Sequence, residues 1–369
     1  MTLSRSIFSV ISLAVILPLV ACDELTGPDV DPDAPTNLTY QLIPSGDPTT
    51  PLGVLLTWEV PTSGRANSFN VYGRLGGGDW QLRATTTSPS FHDAGLPEAQ
   101  YYVATRDDNG DELAHSETIS IDLQSRLPAP QGLTSISLNG AVQLAWSSNA
   151  VDASRATFDH YRVYSTPYDG TRGVCTANWV LEGSTVSDGF LAGNLANGVS
   201  ECFVVSAITH DGHESQWSDA HLDTPRFDAR NVVVYAHSAR ADSAGFLFLD
   251  ETTKRVGTVS SAARTDLDFT VERQADGSLW FAPGRSAVTM MLYSTTPVTD
   301  LTSIDRAPSA GFAPTGIQAL PGYAYVFRTQ KTDGVHFAAV RVAYVAADHV
   351  VFDWSYQSAV GNAELNRAP

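Results

Sequence analysis

The chain is poor in the groups that most often carry chemistry. Its 369 residues include two lysines, three cysteines and three methionines. No G-x-S-x-G and no H-E-x-x-H occurs, so neither a nucleophile elbow nor a zincin helix can be read from it. Positive charge is scarce, with 22 Lys and Arg against 40 Asp and Glu and a net charge of −18. Nucleic acid needs clustered cations and is excluded as a partner. An electrostatic hold on anionic lipid is disfavoured on the same ground. The scarcity of lysine beside twenty arginines is a compositional bias from which no function follows. The amino-terminal apolar run, residues 7–20, is too short to span a bilayer comfortably.

What is present begins with that run. A positively charged start, a short apolar core and a small residue before a cut site describe a secretory leader. Leu19-Val20-Ala21-Cys22 resembles the lipobox of bacterial lipoproteins. The resemblance implies cleavage before Cys22, which would carry a diacylglyceryl group and an acylated amine such as palmitate. Residues 1–21 are then a signal peptide, and the chain is held in the bacterial cell envelope, at its periplasmic face or the cell surface. Acyl chains hold a protein almost permanently, since each buried CH₂ contributes about 0.8 kcal/mol. Residues 22–34 are acidic, proline-containing and without aromatics, and read as a solvated tether. Asp29, Asp31 and Asp33 alternate as in a calcium loop, but the turn glycine and distal glutamate are missing.

Hydrophobic content of 43% is ample for packed cores, and the length allows two to four domains. An internal repeat supplies two of them. In GVLLTWEVP at 53–61, Val54, Leu56 and Trp58 alternate; in GAVQLAWSS at 140–148, Val142, Leu144 and Trp146 do. A period of two puts each trio on one sheet face. Other landmarks recur in order: an opening proline and apolar strand, SFNVYGR against HYRVYST, and QYYVATRDDNGDELA against ECFVVSAITHDGHES. Asn-Gly and Asp-Gly in the last pair are hairpin signals, because both central residues want positive φ. Short strands punctuated every ten or so residues indicate β-sandwiches.

The order of these features resembles the fibronectin type III family over residues 35–124 and 127–225. One family feature is absent: the usual corner tyrosine is Ala99 in the first unit and Glu201 in the second. With Cys22 lipidated, Cys175 and Cys202 remain as an even pair in an exported chain, which suggests a disulfide. In the family the end of strand C lies beside the start of strand F, so the resemblance lets these two cysteines meet.

Residues 226–369 hold many apparent strands and no amphipathic helix, and form a separate β-rich domain. GYAYVFRTQ, VHFAAVRVAYVA and HVVFDWSYQ read as a three-stranded meander, with Val350, Phe352, Trp354 and Tyr356 on one face. The fold class is therefore all-β: two tandem fibronectin type III-like sandwiches and a carboxy-terminal β-domain. A Y-x-x-x-T…G…A-x-x-R-V strand pair and the closing F-D-W-x-Y-Q strand give that domain a faint resemblance to haem-scavenging surface lipoproteins of the HmuY type. Those proteins hold haem with two histidines, which makes His336, His349 and His237 the candidate ligands here.

Other constellations have turn or packing explanations. His210 and His213 flank an Asp-Gly turn, and a metal there lacks further ligands. Asp107, Asn109 and Asp111 form the equivalent hairpin tip of the first unit. Glycine-rich LGGGDW at 75–80 is followed by no helix that would bind an anion. Trp80, Trp179 and Trp217 could form a sugar- or protein-binding platform or act as core cover. The expectation is a non-enzymatic, lipid-anchored protein with no cofactor. It would bind an envelope or extracellular protein or a polysaccharide, with recognition in the carboxy-terminal domain. The alternatives are a ligand-capture lipoprotein, with haem as the sharpest version, and less readily an envelope enzyme.

Overall fold

The computed structural model describes residues 31–47, 50–124 and 127–366. The signal peptide, Cys22 and residues 22–30 of the tether lie outside the described residues. Among those described, no helix is long and apolar enough to cross a membrane.

The first module contains β1 (Thr36–Ile43), β2 (Gly53–Glu59), β3 (Ser68–Arg74), β4 (Gln81–Thr86), β5 (Ser90–Ala94), β6 (Gln100–Arg106), β7 (Glu112–His115) and β8 (Ile119–Ser120). One sheet has the order β1-β2-β5; the other is β4-β3-β6-β7, with β8 also beside β6. The second module repeats this plan with β9 (Thr134–Leu138), β10 (Ala141–Ala145), β11 (Phe158–Asp169), β12 (Val174–Cys175), β13 (Val180–Thr185), β14 (Gly189–Ala192), β15 (Glu201–Thr209) and β16 (His221–Asp223). Its sheets are β9-β10-β14 and β12-β11-β15-β16, with β13 beside β11. Every pairing is antiparallel, and the three-on-four strand order is that of fibronectin type III sandwiches.

The alternating trios do what their period dictates. Val54, Leu56, Trp58, Val142, Leu144 and Trp146 are all buried between sheets. Trp58 meets Phe69 edge-on at 5.4 Å, and Trp146 meets Tyr161 at 5.2 Å. Each such side chain contributes about 1.5–3 kcal/mol by leaving water. The missing corner tyrosine is replaced in the first module by Tyr101, whose hydroxyl accepts the Glu98 N–H at 2.8 Å and donates to Asp93 at 2.8 Å. The disulfide Cys175–Cys202 is formed, from β12 to the start of β15.

The boundary of the tether differs from expectation. The Asp33 carboxylate pairs with Arg65 at 2.7 Å, and the Ser63 N–H donates to the Pro32 carbonyl at 3.1 Å. Residues 31–34 are thereby part of the first module, because a carboxylate and a proline carbonyl there find partners on the loop before β3.

The carboxy-terminal domain contains β17 (Phe227–Tyr235), β18 (Gly245–Leu249), β19 (Val256–Ser260), β20 (Phe269–Arg273), β21 (Leu279–Pro283), β22 (Val288–Leu292), β23 (Ile317–Gln318), β24 (Ala324–Gln330), β25 (Val335–Val345) and β26 (His349–Gln357). Its sheets are β17-β26-β25-β24-β22 and β19-β18-β20-β21-β23, so β24, β25 and β26 form the expected meander. Val350, Phe352, Trp354 and Tyr356 face a core that includes Phe246, Phe248, Phe269, Phe281 and Phe327. The opposite face of β26 is buried too, at Asp353, Ser355 and Gln357. A second apolar cluster around Leu301, Ile304 and Leu365 lies beyond the meander.

The three units are joined by specific seams. Between the modules, the Leu42 N–H donates to the Asp211 carbonyl at 2.8 Å, and His213 bonds the Asp122 carbonyl. Between the second module and the last domain, residues 364–366 return to β9. Asn366 accepts the Ser137 N–H at 2.8 Å, and its side chain accepts from buried Arg226 at 3.0 Å.

Candidate functional site

The two modules carry a related constellation, a tyrosine–glutamate pair beside other aromatic rings, on the outer face of the β4-β3-β6-β7 sheet and its counterpart. Strand periodicity explains how it arises. In β3, Phe69 and Val71 point inward, so Tyr72 points outward. In β6, inward Tyr101 and Val103 leave Tyr102 outward. Tyr72 and Tyr102 stack at 4.9 Å, Trp80 meets Tyr102 edge-on at 4.6 Å, and His115 tilts against it at 5.2 Å. The Arg74 guanidinium lies 4.3 Å from the Trp80 ring centroid and donates to Gln100 at 2.8 Å. Glu112 closes one end: its Oε1 accepts Tyr72 Oη at 2.7 Å and Asn70 Nδ2 at 2.6 Å. The carboxylate beside it pushes the Tyr72 hydroxyl up to about 12. Tyr72, Tyr102 and Trp80 are partly exposed; Glu112 and His115 are exposed. The arrangement is an open aromatic floor with a carboxylate at its rim.

In the second module Tyr164, Glu214 and Trp217 stand where Tyr72, Glu112 and His115 stand in the first. Tyr164 stacks on Trp217 at 5.3 Å, and Trp179 meets Trp217 at 5.3 Å. Glu214 Oε1 accepts Tyr164 Oη at 2.8 Å and Ser206 Oγ at 2.6 Å. Burial, then the Glu214 charge, raises the Tyr164 hydroxyl far above its ordinary value. This floor is covered. The loop between β1 and β2 of the first module lies on it, Gly46 donates its N–H to Glu214 Oε2 at 3.1 Å, and Arg162 donates to the Pro44 carbonyl at 3.3 Å. Gly46 has φ +89°, and a methyl group there would sit 3.3 Å from Tyr164 Cε1 and 3.5 Å from Trp217 Cζ2. Tyr164, Glu214 and Gly46 are consequently buried.

Of the three histidines offered for haem, His237 and His349 lie at one end of the β17–β26 pair and His336 at the other. His336, 1% exposed, stacks on Tyr356 at 5.5 Å and bonds Asp333 at 2.8 Å. It lies beside the Gln357 end of β26, whereas His349 begins that strand. Eight residues at about 3.3 Å each put roughly 26 Å between those ends, too far to share one iron. His349 bonds Asp348 at 2.8 Å, and His237 lies 3.5 Å from Glu272. Among the described residues, no group of three or more His, Cys, Asp or Glu is arranged to hold a metal ion.

The other singled-out residues find structural roles. Asp107 Oδ1 accepts the N–H groups of Asn109 and Asp111, both at 2.9 Å, closing the hairpin. His213 is buried in the seam between modules, while His210 is exposed and pairs with Asp159 at 3.1 Å. Of the tryptophans, Trp179 and Trp217 belong to the covered floor and Trp80 to the open one. Tyr72, Tyr102, Glu112 and His115 were not legible as a site; aligning Glu112 with Glu214 through the repeat is the signal that finds them.

No family model and no curated protein matches the sequence. Among solved structures, the chain is similar to the FN5 domain of Drosophila Lar, at 16% identity over 27% of this chain and 96% of that one, with a TM-score of 0.21. It is similar to a two-domain fibronectin type III segment of chicken tenascin, at 18% identity over 52% and 98%, TM-score 0.21. A Fn3-like protein from Clostridium thermocellum matches at 18% identity over 27% and 92%, TM-score 0.21.

Proposed function

We propose that this chain is a lipid-anchored, non-catalytic protein of the bacterial cell envelope that binds or scaffolds another envelope or extracellular component. The open aromatic face of the first module is its recognition surface. One observation carries this reading. A tyrosine bonded to a glutamate beside other aromatic rings is built twice, and the copy on the second module already holds a ligand, the Gly46 turn. Aromatic rings with a polar rim are common anchors at binding surfaces. This moves recognition from the carboxy-terminal domain, where the sequence alone put it, to the module that follows the tether. Cys22 would fix that module near the bilayer, and the hydrogen-bonded seams would carry the last domain farther outward.

The test has two parts. Intact mass of the native protein should show chain starting at Cys22 with diacylglyceryl and acyl mass. Capture from solubilised envelopes by the full chain should fall at least tenfold for Tyr102→Ala with Trp80→Ala, the far-ultraviolet spectrum being unchanged. Undiminished capture by that variant, or a native chain that starts elsewhere, overturns the corresponding half of the reading.

A further inference from the structure

We infer that the open face of the first module docks a glycine turn of a protein partner, in the manner in which the second module docks Gly46. This rests on the reading of that face as the recognition surface, and adds what it recognises.

The argument is one of matched atoms. In each module, one glutamate oxygen is saturated by a tyrosine hydroxyl and a second donor: Tyr72 and Asn70 on Glu112, Tyr164 and Ser206 on Glu214. In the second module the other oxygen accepts a backbone N–H, from Gly46 at 3.1 Å. In the first module the other oxygen, Glu112 Oε2, accepts nothing among the described residues, and Glu112 is exposed. A carboxylate with one oxygen uncommitted among the described residues, at the rim of an open aromatic face, is complementary to a peptide N–H laid over that face.

The floor also sets the residue that delivers the N–H. Over Tyr164 and Trp217 a bare Cα fits and positive φ is required, so glycine is selected. In the first module Tyr72 keeps the place of Tyr164 and His115 that of Trp217, while Tyr102, at the position of Val204, adds a ring that the second module lacks. Proline precedes the turn in the second-module complex, and its carbonyl accepts from Arg162. Charged hydrogen bonds from a backbone N–H are strong enough for the carboxylate to dominate recognition. The chain's own Pro44–Asp47 turn is engaged on the second module and is not the occupant.

The probe is a cyclic peptide carrying the chain's residues 43–48, Ile-Pro-Ser-Gly-Asp-Pro, titrated into the full chain and followed by NMR. Saturable shifts are expected at Tyr72, Tyr102, Glu112 and His115. Replacing the peptide's glycine with N-methylglycine removes the N–H and should weaken binding at least tenfold. Glu112→Gln in the full chain should do the same without moving the thermal midpoint. Shifts of these residues by oligosaccharides, with none by the peptide up to 5 mM, would overturn the glycine-turn assignment and leave the recognition surface standing. Shifts that depend on protein concentration alone identify a second copy as occupant, and shifts on deleting residues 23–30 identify the chain's own amino-terminal segment; either overturns a foreign partner. A face silent to every probe, with envelope capture unaffected by Glu112→Gln, removes both readings.

Discussion

A single lysine shows how much one residue can hold. Lys331 Nζ lies 2.9 and 3.1 Å from the Asp268 oxygens and 3.2 Å from the Leu249 carbonyl, with both side chains buried. Asp268 also accepts the Phe248 N–H at 2.8 Å and Thr329 Oγ1 at 3.0 Å, and Arg285 lies 3.4 Å away. Asp268 precedes β20 in one sheet and Lys331 follows β24 in the other, so the pair ties the two sheets. Lys331→Met strands a buried carboxylate and should lower unfolding free energy by about 3 kcal/mol, read by denaturant titration. Adding Asp268→Leu removes the stranded charge but leaves the Phe248 N–H, Thr329 Oγ1 and Arg285 without their acceptor, so it should recover only part of that loss. None of this was legible in the sequence, where the two lysines looked like compositional bias. A salt bridge 63 positions apart leaves no periodic trace.

At the scale of elements the sequence was most informative. Trp58 and Trp146, at the end of alternating runs, betrayed their strands because a period of two is local. The Cys175–Cys202 pairing was also within reach, since these are the two cysteines of the sequence besides Cys22. The aromatic floor was not, because Tyr72 and Tyr102 are ordinary strand residues until β3 and β6 pair across 30 positions of sequence. The disulfide closes a loop of 27 residues' separation and should add about 3–4 kcal/mol in the chain-entropy model. Reducing it, or making Cys175→Ser with Cys202→Ser, should lower the stability of the second module by that order in calorimetry. Its local effect would be freedom of β12 and the β12–β13 loop that carries Trp179.

The whole molecule depends on its seams. At the first, Gly212 has φ +83°, and a methyl group there would overlap the Leu42 carbonyl. Gly212→Ala should part the modules and raise the radius of gyration in solution scattering. At the second, Ser137 Oγ lies 2.9 Å from both Asp223 Oδ1 and Glu364 Oε1, and a hydroxyl has one proton to give. Both contacts are hydrogen bonds only while a proton is held in this cluster beyond that of the hydroxyl. Burial, then Glu364, raises Asp223 to about 7. The folded junction keeps a proton that the unfolded chain releases above about pH 4. The associated stability is complete below that pH and is lost as pH rises to about 7, by up to about 4 kcal/mol. Half-buried His221, within 2.7 Å of Ser135, is lowered by partial burial and acts in the opposite sense, its stability being lost as pH falls. Burial lowers Arg226, bonded to Asp228 at 2.7 Å, but an arginine stays charged over this range. The difference between the parent chain and Asp223→Asn in midpoint against pH isolates the carboxyl contribution, and should shrink to nothing below pH 4.

The return of residues 364–366 to β9 also sets a timetable. As the polypeptide emerges from its amino end, both sandwiches can close while Ser137, Asp223 and Arg226 still lie bare. Their cover arrives only after some 140 further residues have appeared and found their places. Until then the second sandwich presents an unshielded acidic seam, the interval in which a chaperone or a protease would have its opportunity.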